Sequence, residues 1–242
     1  MFKLLNIVFY AFMMLTSVAH AQVSTVIGGH NPWPPYIESD GSGLVNDILF
    51  AAFSSQGVAL EIQIAPFSRM MLLLENRKVD FVAALWWTEE REKTILFSQP
   101  YFHNELFVVS RQNQLVDFRG TKSLRYKSVA TIRGYAYRNL LVNIEQLNVI
   151  DVLSLHACLE LVHKGRADFA IADMLAFKHE LKHDSMLQNL MTHSPALSSW
   201  PLHIGVSREH PDAEKIIQLF NVGLATIKKN GSYQQIIAQY LD

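Results

Sequence analysis

The stretch Asp80–Tyr101, DFVAALWWTEEREKTILFSQPY, decides the fold. Its opening residues DFVAA are apolar enough for a strand buried on both faces, as strands of helix-covered parallel sheets are. The chain then turns through Trp86, Trp87 and Thr88, crosses the charged run Glu89-Glu90-Arg91-Glu92-Lys93 and returns as ILFSQPY. Two indoles, a hydroxyl and a guanidinium therefore follow the C-terminal end of a strand, the end at which open α/β sheets bind ligands. A guanidinium there offers a fork of donors that matches a carboxylate, and indoles supply rigid apolar walls. Adjacent side chains of an extended segment point to opposite sides, so Trp86 and Trp87 cannot both be core. The plainer reading of Arg91 is a solvated residue in a charged turn.

Outward from this stretch the pattern is β-α-β-α-β. Ser24–Gly28 reads as a strand, Gly43–Ser55 as a helix with one apolar stripe, Leu60–Ile64 as an alternating strand, and Pro66 to about Arg77 as a helix. Three prolines in the loop His30–Tyr36 predict an extended, stiff support for Trp33 and Tyr36. Beyond Tyr101, Leu106–Ser110 reads as a strand and a second α/β unit begins. Strands are expected at 128–132, 148–152 and 167–172. Helical stretches are expected from the 133–137 loop to about Gln146 and over 154–164. Leu202–Ser207 reads as one more strand, and two helices close the chain. Pro211 suits the opening of the first of these, with acidic residues in its first turn and Lys228 and Lys229 in its last, matching the helix dipole.

The chain has 242 residues, half of them hydrophobic, and a formal net charge of −1. That length allows one large or two small cores, and near-zero charge gives no electrostatic reason to expect nucleic acid or an anionic membrane as partner. Residues 1–21 stand apart: Lys3, an apolar run from Leu4 to Leu15, and Ala19-His20-Ala21 fit a secretory signal removed before Gln22. No cysteine follows that site, so no lipid anchor is expected there. Cys158 is the single cysteine, and its helical apolar neighbours place it in the core.

His179-Glu180-Leu181-Lys182-His183 matches the H-E-x-x-H pattern of zinc peptidases. A third ligand would have to come from Glu209 or Glu214, so an exposed helix with two histidines is preferred. No Walker A, Rossmann, G-x-S-x-G or C-x-x-C motif is present.

In order along the chain, WPPY at 33–36, GLVNDIL at 43–49, the Asp80–Tyr101 stretch, VATIRGYAY at 129–137, GRADFAIAD at 165–173 and NGSYQQIIAQY at the end resemble a type II periplasmic solute-binding protein of the polar amino-acid-binding class. The resemblance implies an α/β fold of two lobes, each a mainly parallel sheet flanked by helices, joined by two hinge crossings. The lobes would be 22–110 plus 204–242, and 111–203, with crossings near Val109–Arg111 and Leu202–Gly205. It implies that Arg91 grips a ligand carboxylate beside Thr88, and that Asp173 takes an ammonium. Trp33, Tyr36 and Phe67 would wall the pocket, and the backbone N–H groups of the Gly134–Tyr137 loop would reach the carboxylate. Asp173, between a strand and a helix, reads equally well as an N-cap. Trp86 and Tyr135 depart from the class by replacing small hydroxyl residues with bulk, which admits a larger or aromatic carboxylate. The implied protein is a periplasmic monomer with no cofactor or metal. It would deliver a small-molecule ligand, an amino acid or organic acid, to an inner-membrane ABC permease or present it to a membrane sensor. An enzyme on the same fold, of the cyclohexadienyl dehydratase kind, is the rival.

Overall fold

The structure, a computed structural model, describes residues 23–114 and 116–241, so the expected signal segment lies outside the described residues. The first part of the chain forms β1 (Thr25–His30), α1 (Leu44–Ser54), β2 (Ala59–Ile64), α2 (Phe67–Glu75), β3 (Phe81–Trp86), α3 (Glu89–Glu92), β4 (Ile95–Phe97) and β5 (Phe102–Arg111). The second part forms β6 (Ser128–Ile132), β7 (Asn148–Val152), α4 (Leu155–His163), β8 (Phe169–Asp173), α5 (Met174–His183), β9 (Leu190–Ser207), α6 (Ala213–Lys229) and α7 (Ser232–Leu241).

The strands form one continuous sheet in the order β2-β1-β3-β9-β5-β8-β6-β7, with β4 against β9. Each end of it is a parallel unit. β1 pairs in parallel with β2 and β3, and β6 with β7 and β8. All six residues of β3 are buried, as its unbroken apolar run requires. α1 lays Leu44, Val45, Ile48, Leu49, Ala52 and Phe53 on the first unit, and α6 packs over α1 so closely that a Cβ on Gly223 would meet the Ala52 carbonyl. In the second unit α4 buries Leu155, Cys158, Leu159 and Val162, as its spacing dictates. Burial pushes the Cys158 thiol up to about 12, which leaves it inert as a nucleophile.

β5 and β9 carry the chain between the two lobes. Phe102–Leu106 pairs with Leu202–Ser198 on the first-lobe side, and Val108–Arg111 with His193–Leu190 on the other. The register shifts between Leu106 and Val108. This is a two-lobed α/β fold with two crossing strands, as the sequence led one to expect.

Four details differ from expectation. The proline loop is not extended: Trp33 and Ile37 exchange backbone hydrogen bonds of 2.8 and 3.0 Å, folding the loop back on itself around Pro34 and Pro35. The stretch after Tyr135 makes only a 3-10 segment, Ala136–Leu141, instead of a helix to Gln146. Gln146 has a left-handed φ of 49°, at which a helix cannot continue. The strand expected at 202–207 begins twelve residues earlier, at Leu190. The returning segment ILFSQPY is strand only over Ile95–Phe97.

The H-E-x-x-H segment lies on α5. His179 and His183 stack at 4.1 Å between ring centres, and Glu180 pairs with His156 at 2.9 Å. Among the described residues no group of three or more His, Cys, Asp or Glu is placed to hold a metal.

Candidate functional site

The residues singled out around Arg91 gather at one edge of the sheet, joined there by His30. His30 ends β1, Trp86 ends β3, the 133–137 loop follows β6 and Asp173 ends β8. Each is therefore at the C-terminal end of a parallel strand, where the two lobes face each other.

Trp86 is 5% exposed and Trp87 44%, so the adjacent indoles part company as the pleat demands. Trp86 donates its Nε1–H to Asn104 Oδ1 at 3.0 Å. Its ring lies 5.4 Å from Tyr135, 5.3 Å from Trp200 and 6.0 Å from Trp33, measured between centres.

Thr88 caps the single turn α3, its hydroxyl accepting the Arg91 N–H at 3.1 Å. That fixes where the Arg91 side chain leaves the backbone. The guanidinium is half-buried and sits 5.5 Å from the Phe67 ring centre. It donates to the Trp86 carbonyl at 2.8 Å and, across the lobes, to the Gly134 carbonyl at 3.2 Å. Arg91 makes no ion pair with a carboxylate among the described residues. Burial lowers its proton affinity and the neighbouring Glu90 opposes this.

Gly134 has φ +82°, a conformation that costs a side-chain-bearing residue but not glycine. Two backbone groups of this loop, expected to aim N–H groups at a carboxylate, are used otherwise. Gly134 presents its carbonyl to Arg91, and the Tyr135 N–H is used within the turn, donating to Ile132 at 3.2 Å.

Trp33, Phe67, Trp86, Arg91 and Tyr135, all expected in the site, do line one chamber, together with His30, Ala84 and Ala136. The chamber holds only about 10 Å³, near the room needed for a single water. Tyr135 is the reason: its ring lies edge-on to Phe67, Trp33 and Trp86. Its hydroxyl accepts from Asn31 Nδ2 at 3.2 Å, and burial pushes it up to about 12. A larger groove of about 560 Å³ exists on the first lobe between α2 and the β4–β9 edge, but it shares no residue with this chamber.

Tyr36 and Asp173 stand one ring behind. Tyr36 packs on Trp33 at 4.4 Å between centres and donates its hydroxyl to Asp173 Oδ1 at 2.6 Å. The same oxygen accepts the N–H groups of Leu175 and Ala176 at 2.9 and 3.2 Å, capping α5. Asp173 is buried, which raises its carboxyl above the ordinary range against the pull of these donors. It does not line the chamber.

Sequence reasoning missed the side chains of His30 and Ala84, and had Ala136 only as part of the Gly134–Tyr137 loop. His30 had a signal: it closes a parallel strand at the edge that singled out Trp86 and Arg91. The alanines carry no chemistry that would mark them.

Residues 25–242 match the family model of bacterial extracellular solute-binding proteins, family 3. The arginine-binding periplasmic protein of Mannheimia haemolytica is 24% identical over 239 residues, spanning 95% of this chain and 96% of its own. A solved histidine kinase sensor domain with similarity to periplasmic binding proteins matches with a TM-score of 0.80 at 22% identity, covering 90% of this chain and 96% of that one. An ancestral arginine-binding protein bound to arginine matches with a TM-score of 0.80 at 21% identity, covering 90% and 99%. With the family model spanning both lobes, the chain belongs to the family 3 bacterial extracellular solute-binding proteins.

Proposed function

We propose that the protein captures a small carboxylate-bearing solute, an amino acid or a related organic acid, between its lobes in the periplasm and hands it to an inner-membrane ABC permease. The observation that carries this reading is Arg91: a half-buried guanidinium, ringed by aromatic side chains, with carbonyl oxygens and no carboxylate as partners. A half-buried cation in that state gains most from an anion that enters with two oxygens in plane. Phe67, Trp33, Trp86 and Tyr135 form the walls, with Gly134 as the rim from the facing lobe. Thr88 sets the Arg91 backbone, and Tyr36 with Asp173 ties the lobes behind the chamber.

The lobes are taken as 22–110 plus 204–242, and 111–203, with β5 and β9 as the crossings about which they close. The pairing of these two strands supports them as the crossings, with a register shift between Leu106 and Val108. Export through the N-terminal segment is the expected route, and the protein is taken to act as a monomer.

Arg91→Ala should lose about 2–5 kcal/mol of binding, the usual loss when one partner of a desolvated charge pair is truncated. Calorimetry with whichever amino acid or organic acid raises the melting temperature in a screen checks it. Unchanged affinity in the variant would remove the clamp, and a screen in which no acid shifts the melting temperature would remove the solute class.

A further inference from the structure

If Arg91 holds a carboxylate, on which reading this step rests, the other groups of the chamber limit what that carboxylate is attached to. His30 is 2% exposed at the end of β1. Its Nδ1 lies 2.9 Å from the Asn31 carbonyl oxygen and its Nε2 2.7 Å from that of Ala84. A neutral imidazole has one N–H, so one of these contacts sets a lone pair against a carbonyl oxygen. Only the imidazolium makes both into hydrogen bonds.

What faces the ring decides its charge. The loop after β1 brings the Asn31 carbonyl and the Trp33 indole, α2 the Phe67 ring, and β3 the Ala84 carbonyl. Arg91 is the one charged group acting on it. Burial and that like charge hold the ring's proton affinity below the ordinary histidine range. No Asp or Glu lines the chamber.

The walls give the shape. The Tyr135 ring meets Trp86, Trp33 and Phe67 at 86°, 76° and 67°, so the slot that it fills between them is one that holds a flat ring. Tyr135 comes from the facing lobe and withdraws when the lobes part. At the end of the slot Asn31 offers Nδ2 to a phenol oxygen, and its Oδ1 is buried without a hydrogen-bond partner.

We propose that the chamber takes a planar aromatic carboxylate that lacks an ammonium group, with its carboxylate on Arg91, its ring in the Tyr135 slot and one proton taken up by His30. An ammonium would enter beside Arg91 and His30 with no acid on the walls to meet it. The anion offsets the Arg91 repulsion, and the imidazolium then completes both carbonyl hydrogen bonds. The proton comes from solvent and no covalent bond changes.

Because the bound state holds the His30 proton more tightly than the free state, affinity is highest in acid, where the ring is charged in both. It falls as pH rises through the window between the free and bound values of His30, by up to about tenfold per pH unit.

The test is calorimetry of 3-(4-hydroxyphenyl)propionate against tyrosine, which differ by the ammonium group, from about pH 5 to about pH 8 in two buffers of different ionisation enthalpy. The deamino acid should bind at least about tenfold tighter, with uptake of up to one proton, and His30→Gln should bind without that uptake. The buffer comparison on the unaltered protein stands alone if the variant does not fold. Tighter binding of tyrosine, or binding of the deamino acid with no proton uptake, overturns the inference. If tyrosine binds tighter and Arg91→Ala abolishes it, the carboxylate clamp survives and only this ligand class falls. If neither compound binds while the screen finds another acid held by Arg91, this inference alone falls; if no acid in the screen binds, both fall.

Discussion

Tyr36 and Asp173 show how a single buried carboxylate is kept. Asp173 Oδ1 has three donors, the Tyr36 hydroxyl at 2.6 Å and two cap N–H groups, and no cation. Burial wins over these donors and raises the carboxyl above its ordinary value of 3.8. The folded state therefore holds this proton more tightly than the unfolded chain, and acid favours folding at this group. Its contribution is fully present below 3.8 and is lost as pH rises through the raised folded value. Tyr36→Phe removes the shortest of the three bonds from a charged acceptor, which should cost about 1.5–3 kcal/mol at neutral pH. The cost should shrink in acid, where the carboxyl is neutral and the lost bond was weaker. Urea unfolding at neutral and at acid pH measures both, and an equal loss at the two would show that Tyr36 acts through packing alone.

At the scale of elements, the contact of α1 with α6 turns on one atom. A Cβ on Gly223 would stand 2.1 Å from the Ala52 carbonyl oxygen, which is backbone and cannot rotate away. Glycine to alanine inside a helix normally gains about 1 kcal/mol from propensity. Here overpacking outweighs that gain, and Gly223→Ala should lose about 1–3 kcal/mol net. Thermal or urea unfolding checks the sign, and a stabilised variant would mean that the two helices slide apart freely. The same local-against-tertiary contest explains what could be read from the sequence. β3 was legible because a run buried on both faces has no polar positions, and α6 because Asp212, Glu214 and the paired lysines mark its ends. β9 was legible only over its buried last residues. Its earlier part, Met191–Pro201, alternates no apolar face and carries two prolines, and it is a strand because β5 pairs with it. Leu140, Leu141, Ile144 and Leu147 have helical apolar spacing, yet with a 3-10 turn and a left-handed Gln146 the chain still packs Leu141 and Ile144 on the core. In the site, Arg91 and the aromatic residues were legible by chemistry. The filling of the chamber by Tyr135 was not, since it depends on how close the lobes come.

For the whole molecule, that closeness is held by a short set of polar contacts. Tyr36 reaches Asp173, Asn31 reaches Tyr135, and Arg91 reaches the Gly134 carbonyl, each from the first lobe to the second. On the proposed reading a carboxylate on Arg91 competes with the third contact and a ring in the Tyr135 slot with the second, which leaves the first in place. Closure by ligand and closure by the protein's own groups are thus alternative uses of the same hinge, β5 with β9. Removing the first two contacts together, in Tyr36→Phe with Asn31→Ala, should weaken the closed form by about 2 kcal/mol, a shift of roughly thirtyfold in the ratio of closed to open. Small-angle scattering should then report a larger radius of gyration than for the unaltered protein. An acid that binds Arg91 should bring it back, because a ligand shifts the balance by its preference for the closed form. A radius unchanged by the double substitution would place the hold elsewhere, in the stacked rings of Trp86, Tyr135 and Phe67, and would make those rings the barrier that an entering ligand has to part.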